Sequence, residues 1–138
     1  MKTAVTVVQI LMRLTWLILL AIGIILWTGR AQGLVPAHQA AGVVFVLMLW
    51  ALAYLGMRSG ATPGLSSPGL TSAVCSWSLI VLALGLAQTQ LLTGSSHWVI
   101  QVLHLLVGIA AIGLAEALGA RIKGRLTAAG SNQQNSVR

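Results

Sequence analysis

Four stretches of the chain are apolar almost without a break, and short glycine-rich or polar segments separate them. They cover residues 5–28, 36–57, 71–92 and 98–118. Each reaches the roughly 20 residues that an α-helix needs to cross about 30 Å of hydrocarbon. Strands of a membrane barrel would be half as long and would alternate apolar with polar positions. Continuous apolar runs of this length predict helices instead. The expected fold is an all-α membrane protein, a four-transmembrane-helix bundle formed by residues 1–126. Residues 127–138 are polar and aperiodic, and a disordered tail is expected there.

The connections group the helices. Residues 58–70 are rich in Gly, Pro and Ser and form the longest link, splitting the chain into two antiparallel hairpins. The hairpins share a pattern. The first helix ends Leu26-Trp27-Thr28-Gly29, and eight residues later comes His38, followed by Gly42. The third ends Leu91-Leu92-Thr93-Gly94, and nine residues later comes His104, followed by Gly108. Helices 2 and 4 both close on Leu-Gly-x-Arg, at Leu55 to Arg58 and at Leu118 to Arg121. The shared order predicts an internal repeat of a two-helix unit, with the copies related by an axis along the membrane normal.

Composition agrees with lipid rather than water around the bundle. Only 7% of residues are charged and 57% are hydrophobic, whereas a soluble domain carries about 25% charged residues. The net charge of +7 would point to nucleic acid in a soluble protein. Here the cations sit near helix ends, so they report topology, and no nucleic-acid partner is expected. Lys2, Arg13, Arg58, Arg121, Lys123, Arg125 and Arg138 fall on one side and Arg30 on the other. The positive-inside rule then makes both termini cytoplasmic, in an inner membrane of bacterial type. The first apolar run is too long for a signal peptide and lacks a small-residue cleavage site. Cys75 is the single cysteine, which excludes an intrachain disulfide and a thiolate cluster.

Ionisable groups at membrane depth are costly, which makes each a functional candidate. His38 and His104 hold matching places in the two hairpins, both toward the non-cytoplasmic side. A two-fold relation would bring their imidazoles face to face, as the axial positions of a haem iron require. Gly42 and Gly108 follow at i+4, directly beneath each histidine on the same helix face. Ordinary helix pairs pack 8–10 Å apart, too close for a macrocycle, so trimming at these positions favours one. Ala41, Ala110 and Ala111 add room. Arg30 and His97 are candidates to pair with haem propionates, although His97, beside Trp98, reads first as an exposed loop residue. Glu116, the only acid, is expected to pair with Arg13, Arg58 or Arg121, the sharper alternative being a proton acceptor beside a quinone. Gln88, Gln90 and Gln101 add polarity near the outer face. Trp16, Trp27, Trp77 and Trp98 read as interfacial anchors, and Trp50 sits deeper, where packing in the bundle is expected.

No hydrolase constellation is present, and one acid near a helix end fits transport poorly. Two readings remain: a membrane carrier of one b-type haem, alone or as a subunit of a respiratory or photosynthetic complex, and a cofactor-free accessory subunit of a larger membrane assembly. An electron carrier is expected rather than a stand-alone enzyme, with a quinone or a neighbouring membrane subunit as redox partner.

The motifs His38-x3-Gly42 and His104-x3-Gly108, with Thr28-Gly29 and Thr93-Gly94 at the ends of the preceding helices, resemble small four-helix membrane b-type cytochromes. More closely, residues 5–120 look like one half of the heme A synthase family, whose histidines lie on even-numbered helices. The catalytic half of that family carries an acidic residue near the outer end of its first helix, and this chain has none there. The resemblance therefore implies the haem-holding half, with His38 and His104 as ligands, and no synthase activity.

Overall fold

The computed structural model describes residues 1–59, 67–88 and 90–135, with side chains for all of these except 67–71 and 133–135. Four helices account for most of them: α1 (Lys2–Trp27), α2 (Val35–Arg58), α3 (Ser67–Ala87) and α4 (His97–Asn135). No strand occurs among the described residues. The Gly-, Pro- and Ser-rich link between the hairpins lies for the most part at 60–66, outside the described residues.

Local chemistry sets most boundaries. α1 stops where Gly29 takes φ +73°, a left-handed conformation that glycine adopts without a Cβ penalty. The last carbonyls of α1 are satisfied there by Thr28 Oγ1 donating to Ile25 O at 2.7 Å and Gly29 N donating to Leu26 O at 2.9 Å. Gly94 also takes a positive φ, +87°, but α3 has already ended at Ala87, so Thr93-Gly94 does not close the third helix as expected and Gly94 instead opens the 3-10 turn before α4. A 3-10 turn follows each glycine-bearing link, Gln32–Leu34 before α2 and Gly94–Ser96 before α4. Pro36 and Pro68 sit in the first turns of α2 and α3, where a missing N–H costs nothing.

Two boundaries differ from the sequence pattern. α3 ends at Ala87, so Gln88 and Gln90 lie past the helix rather than in it, and Gln90 N closes the turn on Ala87 O at 2.9 Å. α4 continues to Asn135, so 127–135 are helical where a disordered tail was expected; the last three residues lie outside the described set. A helix already nucleated extends at little cost, and no proline interrupts 119–135. Ile122 is fully buried and Leu126 packs on the core, which carries the helix past the apolar run. Its 39 residues span about 58 Å at 1.5 Å per residue.

The helices pack in the cyclic order α1–α2–α3–α4, each beside its chain neighbours, with α4 closing on α1. Across the diagonals, α2 touches α4, while α1 and α3 do not meet among the described residues. The bundle is solid at the end that holds the N-terminus. Met12, Leu49, Leu52, Val74, Ala115, Leu118 and Ile122 are all buried there in one cluster. Gly56 lets α2 approach α4: a Cβ at this position would meet Leu118 Cδ1 and Ile122 Cδ1, each at 3.4 Å.

Polar groups clamp α1 to α4 near the same end. Arg13 donates to both carboxylate oxygens of Glu116, Nε to Oε1 at 2.6 Å and the terminal nitrogen to Oε2 at 2.7 Å. Buried Gln9 donates its amide to Glu116 Oε2 at 3.3 Å. Of the three partners expected for Glu116 it is Arg13 that binds it. Arg58 instead donates to its own helix neighbour Tyr54 Oη at 3.0 Å. Side chains lean toward a helix N-terminus. In antiparallel α1 and α4 that lean carries Arg13 and Glu116 toward each other.

The outer surface is apolar. α1, α2 and α4 are each long and apolar enough to cross a membrane, and α3 adds 21 residues of similar character. Only 6% of the apolar window of α1 is buried within the bundle, so Leu14, Leu17, Ile18 and Ile24 point outward.

Gly119 faces Gln9 so closely that a Cβ there would collide with the Gln9 amide. Gly119→Ala is therefore expected to dislodge Gln9 from Glu116 and to lower stability by about 1–3 kcal/mol, the usual cost of overpacking. Thermal unfolding in detergent checks this.

Candidate functional site: a paired-histidine cavity

The end of the bundle opposite the clamp opens into a cavity of about 270 Å³. Phe45 and Val46 line its depth, and Trp27, Gln32 and His97 line it where the helices meet their links. α2 delivers His38 one turn inside its start. α4 delivers His104 two turns inside its own. The two imidazoles lie with ring centres 6.3 Å apart and planes at 60°. Each is half-buried, and Nδ1 of each is buried without a hydrogen-bond partner. An unpaired buried nitrogen costs about 1–3 kcal/mol, and a neutral imidazole can bind a metal through either nitrogen.

Small residues create the space. Gly42 and Gly108 line the cavity, and a Cβ at either would meet nothing within 4 Å. Two further glycines, which the sequence pattern did not single out, back the histidines. Gly23 on α1 has room for a Cβ only 3.5 Å from His38 Cε1. Gly85 on α3 has room for one 3.1 Å from His104 Cε1. Each imidazole therefore rests against the bare backbone of the preceding helix in its own hairpin. The readable signal was a lone glycine near the end of each odd-numbered apolar run. Its distance from the histidine differs between hairpins, 15 residues in the first and 19 in the second, which hid the correspondence.

Of the residues expected at the site, His38, His104, Gly42, Gly108 and His97 all line this cavity, together with Gln88 and Gln101. Gln32 and Gln39 join them without having been anticipated. Arg30 is exposed and is not among the lining residues, so no cation reaches the mouth from that link. Ala111 is part of the packed core rather than of the cavity wall.

The tryptophans divide between helix ends and helix interiors, Trp50 lying deep as expected and Trp16 and Trp77 departing from the interfacial pattern. Trp27 and Trp98 are exposed at helix ends, but Trp16, Trp50 and Trp77 lie well inside their helices. Trp77 Nε1 donates to the carbonyl of Val107 on α4 at 2.9 Å, one residue before Gly108. Trp50 Nε1 donates to Ser78 Oγ at 2.8 Å, and that hydroxyl donates to Cys75 O at 2.7 Å. An indole N–H packed between helices usually finds a hydrogen-bond partner. These bonds fix α3 against α2 and α4 just below the cavity.

The donor set limits the chemistry. Among the described residues no three His, Cys, Asp or Glu side chains converge to hold a metal ion. Two opposed imidazoles alone suit a metal whose remaining positions are filled by its own macrocycle. Comparison with family models, curated proteins and solved structures finds no match for this chain.

Gly42→Ala and Gly108→Ala are expected to raise stability by about 0.5–1 kcal/mol each, since a helical glycine is replaced where nothing opposes the methyl. Gly85→Ala gains the same propensity but presses on His104, so it should show no such rise. Parallel thermal unfolding of the three variants in detergent separates the two cases.

Proposed function

We propose that this chain is an integral membrane protein that crosses the bilayer four times, with both termini on the cytoplasmic side, and that it holds one b-type haem between His38 and His104 as an electron carrier. The membrane setting is supported by the outward apolar surface and by three helices of spanning length. The side chosen for the termini is supported by the cations that gather at that end.

The observation that carries the haem reading is the spacing of the two imidazoles in a glycine-trimmed apolar cavity. His38 and His104 would hold the group, and their ring centres lie 6.3 Å apart at the cavity. The unpartnered Nδ1 atoms and the absent side chains at Gly42 and Gly108 fit the same group. Bound there, the haem supplies one-electron redox chemistry, and the protein supplies orientation and dielectric.

The chain's own contribution is then geometric. Gly23 and Gly85 seat the rings, and the Trp77 bond to the Val107 carbonyl holds α4 at the ligand level. The packed core below keeps water out from the cytoplasmic side. Neutral amides at the mouth offer hydrogen bonds to propionates without a fixed cation. A site with little protein mass outside the helices draws electrons from a membrane quinol or from a neighbouring membrane subunit. The matching links of the two hairpins, each with a positive-φ glycine and a 3-10 turn, support descent from a duplicated two-helix unit.

Protein purified from haem-replete cells is expected to show a reduced-minus-oxidised b-type spectrum at about one haem per chain. His38→Ala and His104→Ala should each abolish it, and Gly42→Leu should weaken haem retention while leaving the helical circular-dichroism signal intact. A colourless wild-type protein would favour the cofactor-free accessory subunit instead.

A further inference from the structure

We propose that this cavity is poised to hold its haem reduced, so that the chain collects electrons from quinols: neither ligating imidazole is given a hydrogen-bond acceptor, and no anion lines the space around them. This inference rests on the haem reading above and deepens it.

Nδ1 of His38 and Nδ1 of His104 are each enclosed by the protein and make no hydrogen bond, which leaves Nε2 of each ring for the metal. A neutral imidazole that binds through one nitrogen keeps its proton on the other. Metal-binding histidines almost always pass that N–H to a carboxylate, a carbonyl or a water, and the ring then becomes a stronger electron donor. Both rings here go without. On the side of the preceding helix nothing can accept the proton, because glycine stands there. A Cβ at Gly23 would meet His38 Cε1 at 3.5 Å, and one at Gly85 would meet His104 Cε1 at 3.1 Å and Nδ1 at 3.8 Å. Rings of low basicity stabilise the oxidised metal, with its extra positive charge, less than the reduced one.

Charge around the cavity acts in the same direction. The oxidised group carries one more positive charge than the reduced group, and an apolar space opposes that charge unless an anion lies close. Among the described residues the lining contains no Asp or Glu. Glu116 is the only acid of the chain and follows His104 by twelve residues, about 18 Å along α4. Arg13 already binds it. Gln32, Gln39, Gln88, Gln101 and His97, toward the mouth, bring no negative charge. Hydrogen bonding to the ligands, charge and burial are the levers that set a haem potential, and here all three raise it. The equilibrium balances as one quinol against two chains: the quinol becomes quinone, two protons go to water, and each haem iron takes one electron.

Two measurements on the haem-loaded protein test this. In lipid nanodiscs holding equal amounts of a short-chain benzoquinol and its quinone at neutral pH, wild type should stand mostly reduced. Potentiometry then compares Gly23→Ser and Gly85→Ser with Gly23→Ala and Gly85→Ala. A serine hydroxyl that accepts the Nδ1 proton should cut electron affinity about tenfold relative to alanine at the same position, or about 59 mV for one electron. In the haem-free proteins, nitrogen NMR should show Nδ1 unbonded in wild type and bonded in the serine variants, a readout that survives poor haem retention. A wild type that stands mostly oxidised, serine and alanine variants of equal potential, or a wild-type Nδ1 already bonded overturns the inference and leaves the haem reading standing. A colourless wild type overturns both.

Discussion

Helix separation in this bundle is set by where side chains are missing. At one end Gly56 and Gly119 let α2 meet α4 and let Gln9 fit under α4, so the four helices close on a continuous core. At the other end Gly23, Gly42, Gly85 and Gly108 remove side chains around two imidazoles, and the helices leave a cavity instead. The difference lies in what faces each glycine. Leu118, Ile122 and Gln9 fill the first set, whereas the second set borders only two flat rings and open space.

Polar contacts secure this arrangement where apolar packing has no preferred register. Buried polar groups must find partners, so hydrogen bonds between otherwise apolar helices pin their register. The Arg13–Glu116 pair locks α1 to α4 at the closed end. The indoles of Trp50 and Trp77 lock α3 to its two neighbours between that end and the cavity. The cavity therefore does not depend on its own walls for its shape. It is held from below, which leaves the imidazoles free of competing hydrogen bonds at Nδ1.

The two hairpins are alike but not identical, and the differences carry meaning. The second link brings His97 and Gln101 to the mouth; the first brings Gln32 and Gln39 but leaves Arg30 outside. Among the described lining residues, the ionisable group at the mouth is His97 of α4. α4 also continues well past the apolar core, while the helices of the first hairpin do not.

The amino-acid pattern by itself determined the number of helices, their apolar character and their pairing into hairpins, because continuous apolar runs are a local property. It also marked His38, His104, Gly42, Gly108 and His97, since an ionisable or missing side chain stands out in such a background. The end of α4 was not legible, because polar composition reads as disorder unless the contacts of Ile122 and Leu126 are known. Tertiary structure alone decided which cation meets Glu116, that Trp77 reaches a carbonyl on another helix, and that Gly23 and Gly85 back the histidines. It alone set the imidazoles 6.3 Å apart. Those outcomes depend on the rotation of each helix about its axis and on its height relative to its neighbours. A run of uniformly apolar residues leaves both undetermined until the whole bundle packs.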